Sequence, residues 1–230
     1  MFKYNNFFDK KIKLKKTKYC FFIDSVFSTQ ITAGFTSSFF TGQLPSDFSQ
    51  LLSYIGKQAN FSYMDQRHSA DLTIVEEPGV YSVDGLFSKD KNHFLVVKTA
   101  DCLPLFLAKK DHYVGIIHMG WRSAKEGILK NIPFDLADFK VVAGPGLRSC
   151  CYQVGTEFRK FGRIASYLKI SPKGTFFDPV EFAKDQLFSK GLKRENFFDL
   201  GLCSYCSKHN FFSHRRNKTT KRSLSFIGIK

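Results

Sequence analysis

The chain has 230 residues, 43% hydrophobic and 24% charged, enough for one domain with its own core. This composition excludes wholesale disorder, collagen-like repeats and a disulfide-knit miniprotein, and no apolar run approaches the roughly 18 residues that cross a bilayer. The net charge of +15, from 35 Lys and Arg against 20 Asp and Glu, invites an anionic partner but is read mainly as solvated surface, since no nucleic-acid recognition motif accompanies it.

Residues 1–18 are rich in Lys and read as a basic N-terminal segment, poorly ordered or at a sheet edge, so the folded domain is expected over residues 19–230. Cys20 to Phe27 and Ile31 to Phe40 read as strands. Pro45 to Gln58 reads as a helix capped by Ser46 or Asp47, with Phe48, Leu51, Leu52 and Ile55 at helical spacing. Phe94 to Val97, Leu103 to Ala108 and Tyr113 to His118 are short apolar runs that predict strands buried on both faces. Lys109 to His112 would be the hairpin loop between the last two. Ser123 to Asn131 reads as helical, Lys140 to Ala143 as a strand, and Gly155 to Leu168 as a helix. Pro179 to Lys190 is a further helix with Asp178 as N-cap and Pro179 in its first turn. Phe197 to Leu200 and Ser223 to Ile229 close the chain as strands. The sum is a single α+β (mixed α/β) domain of mixed β-sheets flanked by helices.

No apolar stretch or cleavage site follows the basic start, so a cytoplasmic address is expected. In that reducing compartment the six Cys are expected as free thiols. His118 ends a strand, and Gly120 turns the chain into a helix that begins at Trp121 and Arg122. The free N–H groups there suit an anion such as phosphate, with Arg122 as a planar charged donor. His68 and Cys102 each have an ordinary reading alone, as a hydrogen-bonded imidazole and a buried thiol. Together His68, Cys102 and His118 make a three-ligand set that could hold Zn²⁺ with a fourth position open, although their long spacing does not establish the site. Cys203-Ser204-Tyr205-Cys206 is a CxxC followed by His209 and His214, but the short gap to His209 favours ordinary packing over a zinc knuckle. Cys150 and Cys151, being adjacent, are not expected to point into one site and are read as structural.

The segments Gln66 to His68, Thr99 to Pro104, His118 to Arg122, Gly144 to Val154 and Phe212 to Arg222 resemble, in order, the signature blocks of the YfiH-like laccase-domain (polyphenol oxidase) family. Those blocks read roughly Q-V-H-G, T-A-D-C-x-P, H-A-G-W-R, G-P-x-I-x-x-C-C-Y-E-V and F-F-S-Y-R-R followed by T-G-R. The likeness runs from about Phe21 to the C-terminus. It implies a cytoplasmic, metal-dependent enzyme of purine nucleosides. Such enzymes phosphorolyse adenosine, inosine and S-methyl-5'-thioadenosine to the free base and ribose 1-phosphate or its methylthio analogue, and deaminate adenosine. The resemblance puts the metal ligands on His68, Cys102 and His118, with Zn²⁺ as the expected ion and copper as the other candidate. Arg122 and Gly120, then Arg215 and Arg222, are the expected phosphate-binding residues, and a monomer is expected.

The family's older name suggests multicopper oxidation of phenols, which needs more imidazoles than six His supply. The zinc-deaminase signature H-x-E with P-C-x-x-C is also absent. This chain departs from the family pattern at Ser38, where Arg is usual, and at Ser69, Met119 and Lys221, where Gly, Ala and Gly are usual. If that Arg serves to hold phosphate or a substrate anion, its loss would weaken phosphorolysis or change the substrate, and the bulk of Met119 and Lys221 would narrow the pocket. Two other readings stand beside this one. The first is a cysteine hydrolase or amidase acting on peptidoglycan precursors, with Cys102 as nucleophile, His118 as base and Asp101 or another acid orienting it. The second is a basic nucleic-acid-binding protein.

Overall fold

The computed structural model of the chain describes residues 12–40, 55, 59–110, 112–207 and 211–230. Its strands begin with β1 (Lys13–Lys16), β2 (Cys20–Asp24), β3 (Ile31–Thr36), β4 (Asn60–Met64), β5 (Leu72–Ile74), β6 (Gly79–Tyr81), β7 (Gly85–Ser88) and β8 (His93–Thr99). They continue with β9 (Leu103–Lys109), β10 (Tyr113–Met119), β11 (Lys140–Ala143), β12 (Gln153–Val154), β13 (Leu168–Ser171), β14 (Gly174–Phe177), β15 (Phe197–Asp199) and β16 (Ser223–Ile229). The helices are α1 (Trp121–Glu126), α2 (Gly162–Ala165), α3 (Pro179–Phe188) and α4 (His214–Asn217).

A seven-stranded sheet runs β1-β2-β3-β16-β8-β4-β6, a six-stranded sheet runs β15-β11-β9-β10-β7-β5, and β12-β14-β13 form a small third sheet. Both large sheets are mixed: β10 pairs antiparallel with β9 and β7, whereas β11 runs parallel to β15 and β4 parallel to β8. The central strands β9 and β10 are apolar apart from His118 and the terminal Lys109, because both faces of the six-stranded sheet are covered. Alternate side chains of β9 and β10 serve two cores. Leu103, Leu105, Leu107, Ile117 and Met119 pack with residues of α1 and α3. Phe106, Ala108, Val114 and Ile116 face the other large sheet, against Phe35, Leu95, Val97 and Ile227. The expected single domain of mixed β-sheets flanked by helices is what forms, with strands predominating and the described helices short.

Several boundaries differ from the sequence expectation for local reasons. The sheet begins before Tyr19, because β1 pairs with β2 from Lys13 opposite Asp24 onward. It is an edge strand, and exposed Lys on an edge discourages pairing with other chains. Strand β2 stops at Asp24, where Ser25 takes φ 70°, and β3 stops at Thr36. Helix α1 starts at Trp121 and ends at Glu126 rather than covering Ser123 to Asn131, because Gly127 adopts φ 90° and donates to the carbonyls of Ser123 and Ala124. Gly155 to Leu168 is not one helix. It divides into a 3₁₀ turn at Thr156–Lys160, the short α2, and the start of β13. The Phe158 and Phe161 rings are spaced instead to pack on Trp121, at 5.1 and 5.6 Å.

Helix α3 is capped as expected, the Asp178 carboxylate accepting from the N–H groups of Val180 and Glu181 at 3.3 and 3.2 Å. The expected helix Pro45 to Gln58 lies outside the described residues except for Ile55, which is buried. Asp111 of the β9–β10 loop and His209 also lie outside them. Among the described residues no helix is long and apolar enough to cross a membrane.

Candidate active site

The β9–β10 hairpin sets His118 opposite Pro104 and Met119 opposite Leu103. Cys102, just ahead of β9, and His118, near the end of β10, therefore meet at one end of the six-stranded sheet. His68 arrives on the β4–β5 connection with φ 58°. The donor atoms of His68, Cys102 and His118 all lie within 4.8 Å of one another. Cys102 Sγ is 3.9 Å from His68 Nε2, and the two imidazole rings meet edge to face with centroids 4.8 Å apart. The three residues expected from sequence thus form one group.

Sequence reasoning missed the residue that organises it. Asp84 is fully buried, and because Gly85 pairs with Ile117, it lies beside His118. Its Oδ1 is 2.7 Å from His118 Nδ1. Its Oδ2 accepts from the backbone N–H of Ser69 at 2.7 Å, from that of Arg67 at 3.1 Å and from Ser69 Oγ at 3.1 Å. One carboxylate thereby aims His118 and braces the loop on both sides of His68. A carboxylate on the far nitrogen is the usual support of a metal-binding His. Nothing local in Val83-Asp84-Gly85 signals this role. Ser69, where the family pattern has Gly, supplies two of these bonds, one of them from a hydroxyl that Gly would lack.

Burial opposes ionisation of Asp84, but the His118 hydrogen bond and the backbone N–H groups of Ser69 and Arg67 hold its carboxyl below the usual carboxylate value. Burial likewise opposes a thiolate at Cys102, yet His118 and then His68 outweigh it and bring the thiol down. His118 is raised against its own burial by Cys102 and Asp84. Without metal the trio therefore favours a Cys102 thiolate paired with a protonated His118; the thiolate is the form that ligates metal, and His118 gives up its proton on ligation. Two imidazoles and a thiolate suit Zn²⁺. Gly120 keeps them close, since a Cβ there would meet Cys102 Sγ and His68 Cδ2 at 3.1 Å each.

The group opens into a cleft of about 440 Å³, within the range of small-molecule sites. Arg122, Arg215 and Arg222 line it as the sequence suggested, joined by Lys98, Lys218, Trp121 and Tyr152. The Arg122 guanidinium stacks over Trp121, 4.6 Å from the ring centre. Arg215 Nη1 donates to the Gln153 carbonyl at 2.6 Å, and Arg222 Nη1 donates to the carbonyls of Thr219 and Lys221 at 3.0 Å each. Basic residues of the C-terminal run thus converge on a concavity instead of forming a flat patch.

Four expectations change. The Gly120 N–H is already donated to Ser123 Oγ at 3.0 Å, so Gly120 serves by its lack of a side chain and not as an anion donor. Asp101 does not orient His118; its carboxylate accepts from Ser204 Oγ at 2.8 Å and from the Arg215 N–H at 2.6 Å. Met119 is 2% exposed in the core, on the strand face opposite His118, and neither it nor Lys221 nor Ser38 lines the cleft. Finally, Cys150 and Cys151 do enter one cluster, together with Cys203 and Cys206. They lie in a turn, where successive side chains are free of the alternation a strand imposes.

Fold and site together describe a single domain in which two facing mixed sheets hold a His–Cys–His group at the floor of a basic cleft. The same fold is seen in a hypothetical protein YfiH of Bacillus licheniformis, with TM-score 0.82, 23% identity and coverage of 94% of this chain and 99% of that one. YlmD of Geobacillus stearothermophilus matches with TM-score 0.82, 21% identity and coverage of 96% and 99%. The family model described as multi-copper polyphenol oxidoreductase laccase matches residues 43–230, and the chain belongs to that family. It is 34% identical over 178 residues to a purine nucleoside phosphorylase of Campylobacter jejuni, covering 73% of this chain and 76% of the relative. It is 36% identical over 151 residues to a purine nucleoside phosphorylase of Aquifex aeolicus, covering 64% and 70%.

Proposed function

We propose that this protein is a metal-dependent purine nucleoside phosphorylase acting on adenosine, inosine and S-methyl-5'-thioadenosine. The observation that carries the reading is one cleft that joins the His68, Cys102 and His118 donors to Arg122, Arg215 and Arg222. The names of the Campylobacter and Aquifex relatives support it. Zn²⁺ is the ion these ligands fit best, copper being the other candidate, and when bound it supplies Lewis acidity at the cleft floor. The arginines are charged planar donors matched to phosphate. They would hold the phosphate against the anomeric carbon of the ribose. As the new C–O bond forms, the bond to the base breaks, and the base leaves with the proton the phosphate gives up. Trp121 and Tyr152 offer aromatic surface to the purine. Burial first of all raises the Tyr152 phenol, so it stays a neutral hydrogen-bonding group. Deamination of adenosine belongs to the same proposal and needs no phosphate.

The test is chromatography of products from each nucleoside, with and without phosphate, beside Cys102→Ala. Phosphate-dependent release of adenine or hypoxanthine, lost in the variant, is the expected result. No turnover of any of the three would overturn the reading. The Cys102–His118 pair with Asp84 behind it favours one second reading, a cysteine hydrolase cleaving an amide. That reading would be upheld by amide cleavage in metal-free protein.

A further inference from the structure

A second group of chemistry-bearing side chains stands outside the cleft. The sulfurs of Cys150, Cys151, Cys203 and Cys206 all lie within 4.8 Å of one another. Cys206 Sγ is 2.8 Å from Cys151 Sγ and 3.7 Å from Cys150 Sγ, and all four are free thiols. Tetrahedral zinc with bonds of about 2.3 Å sets its sulfurs about 3.8 Å apart. Two loops each supply two ligands, as in zinc knuckles. Cys203 and Cys206 keep the usual C-x₂-C spacing, and Cys150 and Cys151 are brought round by a turn in which the N–H groups of Cys151 and Tyr152 both donate to the Arg148 carbonyl at 2.8 Å.

We infer that Cys150, Cys151, Cys203 and Cys206 form a second metal site, a four-thiolate Zn²⁺ site that clasps the turn leading to Tyr152, which lines the cleft, to the loop whose Ser204 holds Asp101. The loops already touch at a backbone bridge between Gly146 and Cys203. Tyr152, which follows Cys151, lines the cleft. Ser204, inside the C-x₂-C, donates to Asp101 Oδ1, whose other oxygen holds the Arg215 N–H. Arg216 Nη1 donates to the carbonyls of Ser204 and Tyr205 at 2.9 and 3.0 Å. A metal here would fix Tyr152 and Arg215 relative to Cys102 without touching substrate. Four thiolates from rigid turns select zinc over magnesium, calcium or manganese.

Elemental analysis of the full chain, purified under reducing conditions without chelator, tests this. Two zinc ions per chain are expected in the wild type, one in Cys102→Ala and one in Cys150→Ser/Cys206→Ser. A metal-free Cys102→Ala would overturn the proposal. So would a Cys151–Cys206 disulfide found by non-reducing peptide mapping of protein isolated in this way. Should the double variant not fold, Co²⁺ loading of Cys102→Ala decides. Intense thiolate-to-cobalt charge transfer from four sulfurs upholds the site, and its absence removes it. Neither readout depends on nucleoside turnover, so the site stands or falls apart from the phosphorylase reading.

Discussion

Asp84 Oδ1 lies 2.7 Å from His118 Nδ1, with both residues almost wholly excluded from solvent. Asp84→Asn removes the charge and keeps the shape. The amide keeps a single acceptor oxygen, so its NH2 faces either the backbone N–H groups of Ser69 and Arg67 or the His118 Nδ1–H, and in both orientations a donor is set against a donor. Zinc affinity, measured by competition with a chromophoric chelator, is expected to fall by about 10–100-fold, with turnover falling alongside. Unchanged affinity would show that the carboxylate does not support the ligand.

Gly120→Ala places a methyl group 3.1 Å from Cys102 Sγ and from His68 Cδ2. The backbone there, with φ −89° and ψ 174°, accepts Ala without strain. The fold should therefore survive with a melting temperature near that of the wild type, while the ligands spread. Zinc affinity is expected to drop by about tenfold or more.

Cys102 is the cysteine whose reactivity should report the state of the trio. In metal-loaded protein its thiolate is expected to resist iodoacetamide. After chelation it should label readily at pH 7, where an ordinary thiol of pKa about 8.5 is mostly protonated, because His118 and His68 lower it against its burial. In metal-free His118→Ala the labelling rate at pH 7 should fall, since the largest stabilising partner is gone. Peptide mapping separates Cys102 from the other five. Fast labelling with metal still bound would instead favour the nucleophile reading.

Arg122 tests the anion side of the cleft. It is exposed, so its replacement should leave stability unaltered, and a charge-assisted hydrogen bond contributes about 1.5–3 kcal/mol. Arg122→Gln is expected to raise KM for phosphate by about tenfold or more at unchanged melting temperature. An unaltered KM would remove Arg122 from phosphate binding.

His93 is buried against Ser62, with Oγ 2.8 Å from Nε2, and its pKa is lowered from 6.5, chiefly by burial and against the pull of Asp90 and Glu77. The folded state therefore binds its proton less readily than the unfolded one. Its contribution to stability is present above pH about 6.5 and is lost as pH falls through the depressed folded value. Urea unfolding between pH 7 and pH 5 should show a stability loss that is shallower in His93→Gln.

The sequence by itself determined the strands β9 and β10, because segments buried on both faces must be nearly continuously apolar whatever lies beside them, and it marked β11 and β16 as short runs although β16 buries Ser223 and Ser225. It determined the start of α3, since Asp178 followed by Pro179 satisfies the first N–H groups locally. The His68, Cys102 and His118 set was legible because its residues sit in ordered motif blocks. Strands β4 to β7 and β12 to β14 were not, being two to five residues long and largely without a run that local pattern could detect. Asp84 became a hub only when β7 paired with β10, and the four cysteines met only when the loops after β11 and β15 were brought together by the parallel pairing of those strands. Both arrangements are set by hydrogen-bonded ladders between distant segments. A side chain's chemistry can be read from its name, but its partners are chosen by packing that no local window contains.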